Sequence, residues 1–301
     1  MQRKLIKQGA GLTIYLPKKW LDKNKLNKGD NIEIKEIENK ITITNEKINF
    51  KQSAVINIEN MDRNAFIKTI VSHYESGYYE IIIKKTKKTL YDPWKDKRNP
   101  IEKEIEFLTN RLVGFEIISI QKDKITIKDI SMSSAKEFDN VLRRIFLLIL
   151  EYQKTIKENI DNNSKIESSE EYHDNITKLI SFCIRLLNIS QEKTVTEKIN
   201  LHTILTFLDK ITDQLRYLAT HYNKQTIIGD KKIIFELMQY FRDYYNLFYK
   251  YDLEIINKLD IERKKIKSLT LKNKDSIILE FTNILEYIQG LIKPTISLNF
   301  N

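Results

Sequence analysis

Apolar and polar residues alternate at the start of the chain. Residues 3–8 and 12–16 read as short strands, turned between Gly9 and Gly11, where glycine tolerates positive φ. Pro17 suits the first position of a helix, because its missing N–H costs nothing there, and a short helix is expected over 18–24. Lys28-Gly29-Asp30 turns the chain into an alternating strand at 31–38, with Ile32, Ile34 and Ile37 as its apolar members. Asn39-Lys40 turns it again into a strand at 41–44. About forty-five residues of hairpin and one short helix are too few to bury a core alone.

After a linker at 48–52, Ser53 opens a second region. A strand is expected at 53–58, a helix capped by Asp62 at 63–76, and a C-terminal stop at Gly77. The apolar run Ile81-Ile82-Ile83 marks a strand at 78–84, so strand, helix and strand form a right-handed crossover. Residues 84–98 contain Pro93 and read as a basic loop. Pro100 starts a helix at 101–113, Gly114 stops it, and two strands follow at 115–120 and 125–130. The order β-α-β-α-β-β implies one sheet with two helices on one face.

From Ser134 the period becomes 3.6. Phe138, Val141, Leu142, Ile145, Leu148, Ile149, Tyr152 and Ile156 make one apolar stripe. Further helices are expected at 170–188, 195–222, 231–260 and 276–292, the last stopped by Pro294. The aromatic band Phe235, Tyr240, Phe241, Tyr244, Tyr245, Phe248, Tyr249 and Tyr251 repeats at i, i+4, which fits core packing; stacking on bases or gripping a partner is the other reading. Antiparallel helices with short connections form bundles.

Charge changes the picture in two places. Between Arg3 and Lys28 there are eight bases and one acid, in a chain of net charge +10. Such a concentration is either an electrostatic footprint for phosphate backbones or a solvated lysine-rich surface. The segment 84–98 carries seven bases and two acids beside Tyr91 and Trp94, and it reads as a solvated loop or an extension of that surface. Cys183 is alone, which excludes disulfide frameworks and cysteine zinc sites. No apolar run approaches membrane-spanning length, and the charged N-terminus lacks a signal peptide's apolar stretch, so a cytoplasmic protein without membrane insertion is expected.

Leu16-Pro-Lys-Lys-Trp, then Lys28-Gly-Asp, then an alternating hairpin resembles the AbrB/MazE/SpoVT family of swapped-hairpin DNA-binding domains. The resemblance implies a homodimer whose two chains interleave into a shared β-barrel with a basic face toward DNA. It points to Arg3, Lys4, Lys7, Lys18 and Lys19 as DNA-binding residues. Arg3 is the only arginine in this segment, and lysine makes few bidentate base contacts, so sequence-tolerant binding is expected.

The rest of the chain resembles archaeal PhoU-type phosphate-uptake regulators. The matching stretches are Ile70-Val-Ser-His-Tyr-Glu-Ser-Gly-Tyr-Tyr-Glu-Ile-Ile-Ile, Leu112-Val-Gly-Phe-Glu-Ile, Leu142-Arg-Arg-Ile-Phe-Leu-Leu and Phe207-Leu-Asp-Lys-Ile-Thr-Asp-Gln. The fold implied is multidomain α+β: an AbrB-like swapped-hairpin barrel at 1–47, a small α/β domain at 53–131 and a PhoU-like antiparallel helical bundle at 134–301. In that family, carboxylate pairs one helical turn apart bind iron or zinc clusters. Asp209 and Asp213 keep the spacing, and His173 and Asp174 match the preceding helix. The carboxylate expected after His173 is Thr177, the last helix offers Thr282 and Glu286, and the histidine after the second carboxylate is Gln214. Two readings remain: one weak Zn or Fe site on Asp174, Asp209 and Asp213, with His173 as a further donor, or a solvated polar stripe. His73, His202 and His221 lack ligand-spaced partners and read as surface or interface residues.

No glycine-rich phosphate loop, catalytic triad or zinc-hydrolase motif is present, so an enzyme is not expected. The function implied is a DNA-binding regulator of phosphate uptake whose helical domain senses or relays the signal. The alternative is a dimeric adaptor that contacts a phosphate transporter ATPase or a signalling protein without specific DNA binding.

Overall fold

The computed structural model describes residues 2–37, 40–45, 52–131, 135–225, 231–271, 278 and 281–300. The chain divides into two compact units, Met1–Lys51 and Gln52–Asn301. The expected turn at Asn39 and the linker over 48–51 lie outside the described residues.

The first unit holds β1 (Ile6–Gln8), β2 (Gly11–Thr13), α1 (Lys18–Lys23), β3 (Ile32–Ile37) and β4 (Lys40–Asn45). β1 pairs antiparallel with β2, and β3 with β4, as two separate two-stranded sheets. Gly9 adopts φ +60° in the first turn, as that turn requires. The first two strands are shorter than their alternation suggested, since β2 ends at Thr13 rather than at residue 16. No closed barrel forms among the described residues: each hairpin lacks a further strand of this chain to pair with its edges. Pro17 precedes α1, in the N-cap rather than the first helical position.

The second unit is mixed α/β and mainly helical. β5 (Ser53–Asn57), α2 (Arg63–Glu75) and β6 (Glu80–Lys84) form the crossover, with β5 and β6 parallel. Asp62 caps α2 through the Ala65 amide at 2.7 Å. Gly77 takes φ +88° after it, and a Cβ there would lie 2.7 Å from Ile189, so both backbone and packing require glycine. α3 (Ile101–Thr109), β9 (Phe115–Ile120) and β10 (Lys124–Asp129) complete the layer, with sheet order β5-β6-β10-β9. Ile56, Ile81, Ile83, Ile125 and Ile127 are buried on one face with Phe66, Ile70 and Ile105 of the helices, whereas Val55 on the other face is exposed.

The segment expected as a loop at 84–98 instead contains a hairpin, β7 (Thr89–Asp92) and β8 (Lys97–Pro100). Local side-chain bonds replace the missing turn glycine. Asp92 Oδ1 accepts from the Trp94 and Lys95 amides at 3.0 and 3.3 Å, and Asp96 takes the positive φ of +44°. Arg98 lies over its cross-strand partner Tyr91.

After a short 3-10 turn come α4 (Phe138–Asp161), α5 (Ser169–Ile189), α6 (Val195–Gln225), α7 (Lys231–Tyr249), α8 (Leu253–Thr270) and α9 (Asn283–Asn299). Cys183 near the end of α5 approaches Phe138 at the start of α4, so these two run antiparallel. Asn223 exchanges bonds of 2.8 and 2.9 Å with the Ile166 backbone, which sets α6 antiparallel to α5. α9 packs along α6 at Gly290, where a Cβ would sit 2.5 Å from the Phe207 ring. The aromatic band is packing: Phe146 of α4 meets Phe241, Tyr244, Tyr245, Phe248 and Tyr249, with ring centroids 5.0 to 6.2 Å apart.

Three helix boundaries differ clearly from the sequence expectation, the first being α3, which ends at Thr109 rather than at 113. The helix expected at 231–260 breaks after Tyr249, because Asp252 caps a new helix through the Glu254 amide at 2.8 Å. The last helix continues through Pro294 to Asn299 instead of stopping. Pro294 and Thr295 are buried there, and Thr295 meets Tyr244 Oη at 2.8 Å, so packing outweighs the lost backbone bond. Residue 276, its expected start, lies outside the described residues.

Arg185 of α5 ties the sheet layer to the helices. Its guanidinium donates to the Tyr74 and Tyr78 carbonyls at 2.6 and 2.9 Å and to Asp129 Oδ2 at 2.8 Å, with Tyr74 and Phe115 stacked beside it. Ser181 donates to Glu75 Oε1 at 2.8 Å, and Asn188 to the Glu75 carbonyl at 2.9 Å. Among the described residues, no helix is long and apolar enough to cross a membrane.

Candidate functional site

Two regions carry the candidate residues, one in each unit. In the first unit, Arg3, Lys4, Lys7, Lys18 and Lys19 are all exposed, as are Lys23, Lys25 and Lys28. Arg3 and Lys4 precede β1, Lys7 lies on it, and Lys18 and Lys19 form the first turn of α1. Apolar residues of this unit are exposed too: Leu5 at 65%, Leu12 at 66%, Ile14 at 51%, Tyr15 at 72%, Ile34 at 60% and Ile41 at 70%. None of the side chains described in the unit is buried. Exposed apolar surface therefore accompanies a concentration of exposed positive charge.

In the second unit the antiparallel packing of α5 and α6 brings His173 and Asp213 together. His173 is buried; its Nε2 lies 3.2 Å from Asp213 Oδ1 and its Nδ1 lies 3.3 Å from Asp174 Oδ1. The structure adds a residue the sequence reading passed over. Glu170, His173 and Asp174 present ligand-type atoms within 4.8 Å of one another. The signal was available as a Glu-x-x-His spacing on one helix face, a pattern known from carboxylate-bridged metal sites in bundles. Asp209, one turn before Asp213, is half-buried on α6.

Three cations meet these carboxylates. Arg111 Nη1 lies 2.7 Å from Asp174 Oδ1 and its Nη2 donates to Thr177 Oγ1 at 3.2 Å. Arg216 approaches Glu170 at 3.7 Å and Asp213 at 3.8 Å, and Lys210 approaches Asp213 at 3.4 Å and Asp209 at 3.9 Å. The bond from His173, helped by Lys210, holds the Asp213 carboxyl below the usual carboxylate range. Burial, then the neighbouring Asp213 charge, pushes Asp209 up. Burial also raises Glu75 on α2, with Asp209 adding to the effect and the Ser181 bond opposing it.

The donor types suit Zn or Fe, but the residues present do not fit a multinuclear cluster. Thr177 spends its hydroxyl on the His173 carbonyl at 3.0 Å, and Glu286 of α9 pairs with Arg263 of α8 at 2.8 Å. A single ion would have to displace Arg111 from Asp174 or Arg216 from Glu170. As built, the carboxylates are neutralised by side chains, and the cluster holds α5, α6 and the turn after α3 together.

The other histidines make local contacts: His73 with the Thr69 carbonyl and Tyr78, His202 with Thr206, and His221 with Tyr217. Compared with protein families, curated proteins and solved structures, the chain has no match.

Proposed function

We propose that the protein is a homodimeric DNA-binding regulator. In this reading the unit Met1–Lys51 dimerises and meets the phosphate backbone through Arg3, Lys4, Lys7, Lys18 and Lys19. The unit Gln52–Asn301 senses or relays a signal, and the resemblance of the sequence to PhoU-type regulators connects that signal with phosphate uptake. The first unit would be an AbrB-like barrel completed by a second copy, and the helices a PhoU-like bundle.

One observation carries the reading: none of the side chains described in the first unit is buried, while the unit exposes both apolar side chains and eight bases. Exposed Leu, Ile and Tyr on and beside two short hairpins call for a second layer, and a matching copy of the same hairpins supplies one. Cations concentrated on a unit of this size favour a polyanion over a neutral partner. The bases are mostly lysines, which favours backbone contact over base readout.

The test is the salt dependence of duplex binding by the full chain, read by fluorescence anisotropy. The logarithm of affinity should fall linearly with the logarithm of salt, by about 0.9 for each phosphate contact. Arg3→Ala, Lys4→Ala and Lys7→Ala together should flatten that slope. Absence of binding at low salt, or a slope unchanged by the triple variant, would remove the proposed DNA face. Binding to a phosphate transporter ATPase without any DNA shift would instead support the adaptor reading.

A further inference from the structure

A cavity of about 310 Å³ opens within the second unit, where α2, α3 and α5 converge. That volume stands at the lower end of the roughly 300–1,000 Å³ typical of small-molecule sites. Its lining has two characters. Ile67, Val71, Leu108 and Leu112 provide an aliphatic wall, and Phe107 adds an aromatic ring. Arg63, Arg111 and Lys178 provide three positive charges, and no lining residue is acidic.

Two of the cations are fixed before any ligand arrives. Arg63 Nε lies 2.8 Å from Glu104 Oε1, whose carboxylate is buried. Arg111 is anchored by Asp174 and Thr177. Both guanidinium carbons sit over the Phe107 ring, at 5.4 and 5.2 Å from its centroid. Lys178 donates to the Asn110 carbonyl at 2.7 Å and, among the described residues, has no carboxylate partner. Thr177 and Ser181 add hydroxyls to the same wall. Preoriented guanidinium forks and an ammonium in a concave, partly apolar site match the phosphate or carboxylate of a small molecule.

We infer that this cavity binds a small organic anion, a phosphate monoester or a carboxylate carrying an apolar or aromatic group. The anion meets Arg111 and Lys178, and the apolar part lies against Phe107 and the aliphatic wall. The inference stands apart from DNA binding, since every residue in it belongs to the second unit. It also gives the bound anion a route to the helices. A ligand on Arg111 competes with Asp174, whose other neighbour is His173 at the α5–α6 contact.

The experiment is calorimetric titration of the full chain with phenyl phosphate, benzoate, inorganic phosphate and benzyl alcohol. Phenyl phosphate or benzoate should bind, and whichever binds identifies the anionic group. Benzyl alcohol and inorganic phosphate should bind at least about tenfold more weakly, since each lacks one half of the recognised pair. Lys178→Gln, at a half-buried position outside the apolar core, should weaken binding by about tenfold, as should Arg111→Gln. Lys165→Gln, which lies outside the cavity, should leave it unchanged. Failure of both aromatic anions to bind at millimolar concentration would overturn the inference. So would binding that neither cavity variant weakens, or inorganic phosphate binding as tightly as phenyl phosphate.

Discussion

Two hairpins and a short helix make up the described part of the first unit, and none of the side chains described there is buried. In the second unit a four-stranded sheet with helices on one face buries Ile81, Ile83, Ile125 and Ile127 completely. Both regions are rich in isoleucine and lysine, so composition does not separate them. What separates them is the number of layers each chain segment supplies. Alternating strands become a core only when something covers their apolar face. The second unit brings its own cover, and the first leaves Leu12 and Tyr15 in solvent. In the proposed function, stability within a chain and association between chains therefore fall to different segments.

The largest expected effect lies in the self-sufficient unit. Arg185→Ala would leave the Asp129 carboxylate buried without its cation and free two carbonyls, at a cost of about 3–5 kcal/mol in urea unfolding. A loss below about 1 kcal/mol would mean that the sheet layer and the helices are not joined there. Gly290→Ala should come next, costing about 1–3 kcal/mol, because the new methyl meets the Phe207 ring. Adding Phe207→Leu should recover part of that loss. If it does not, close approach of α6 and α9 is not the reason for the glycine.

In the first unit the expectation reverses. Leu12→Asp should weaken self-association measured by sedimentation, while the urea midpoint of the second unit stays put. A shifted midpoint with intact association would break the comparison.

The smallest effects come from the carboxylate cluster, and they differ in sign. Asp213 is held below its unfolded pKa, so the unfolded chain binds more protons there and stability rises with pH through that window. Its contribution is complete above the unfolded carboxylate range of about 4 and disappears as pH falls through the lower folded value. Asp209 is raised, so the native chain binds more protons and stability falls as pH rises from the unfolded to the folded value. At pH 7 Asp213→Asn should therefore destabilise and Asp209→Asn stabilise, each by less than about 1 kcal/mol because both carboxylates are partly solvated. Thermal melts of the two variants at pH 3 and pH 7 check the signs. Equal signs at neutral pH would contradict the proposed charge arrangement.

The sequence made some of this legible for definite reasons. The crossover of β5, α2 and β6 announced itself through Asp62, Gly77 and the Ile81–Ile83 run, which are local signals. The hairpin of β7 and β8 did not, because its turn depends on Asp92 side-chain bonds and a positive φ at Asp96 rather than on glycine. Pro294 misled for a related reason: propensity marks a stop, and burial against Tyr244 overrides it. At the candidate metal positions, spacing on one helix indicated Asp209 and Asp213. Spacing could not show that Arg111, from another part of the chain, sits 2.7 Å from Asp174. Nor could it show the cavity beside Phe107, which arises where three separated segments meet.

The most direct test of the account is the light-scattering mass of the full chain beside that of residues 52–301 alone, at micromolar concentration. Twice the 35.8 kDa chain mass is expected for the first and a monomer for the second. A monomeric full chain, or a truncated chain that remains fully dimeric, would contradict the claim that Met1–Lys51 finds its missing layer in a second copy.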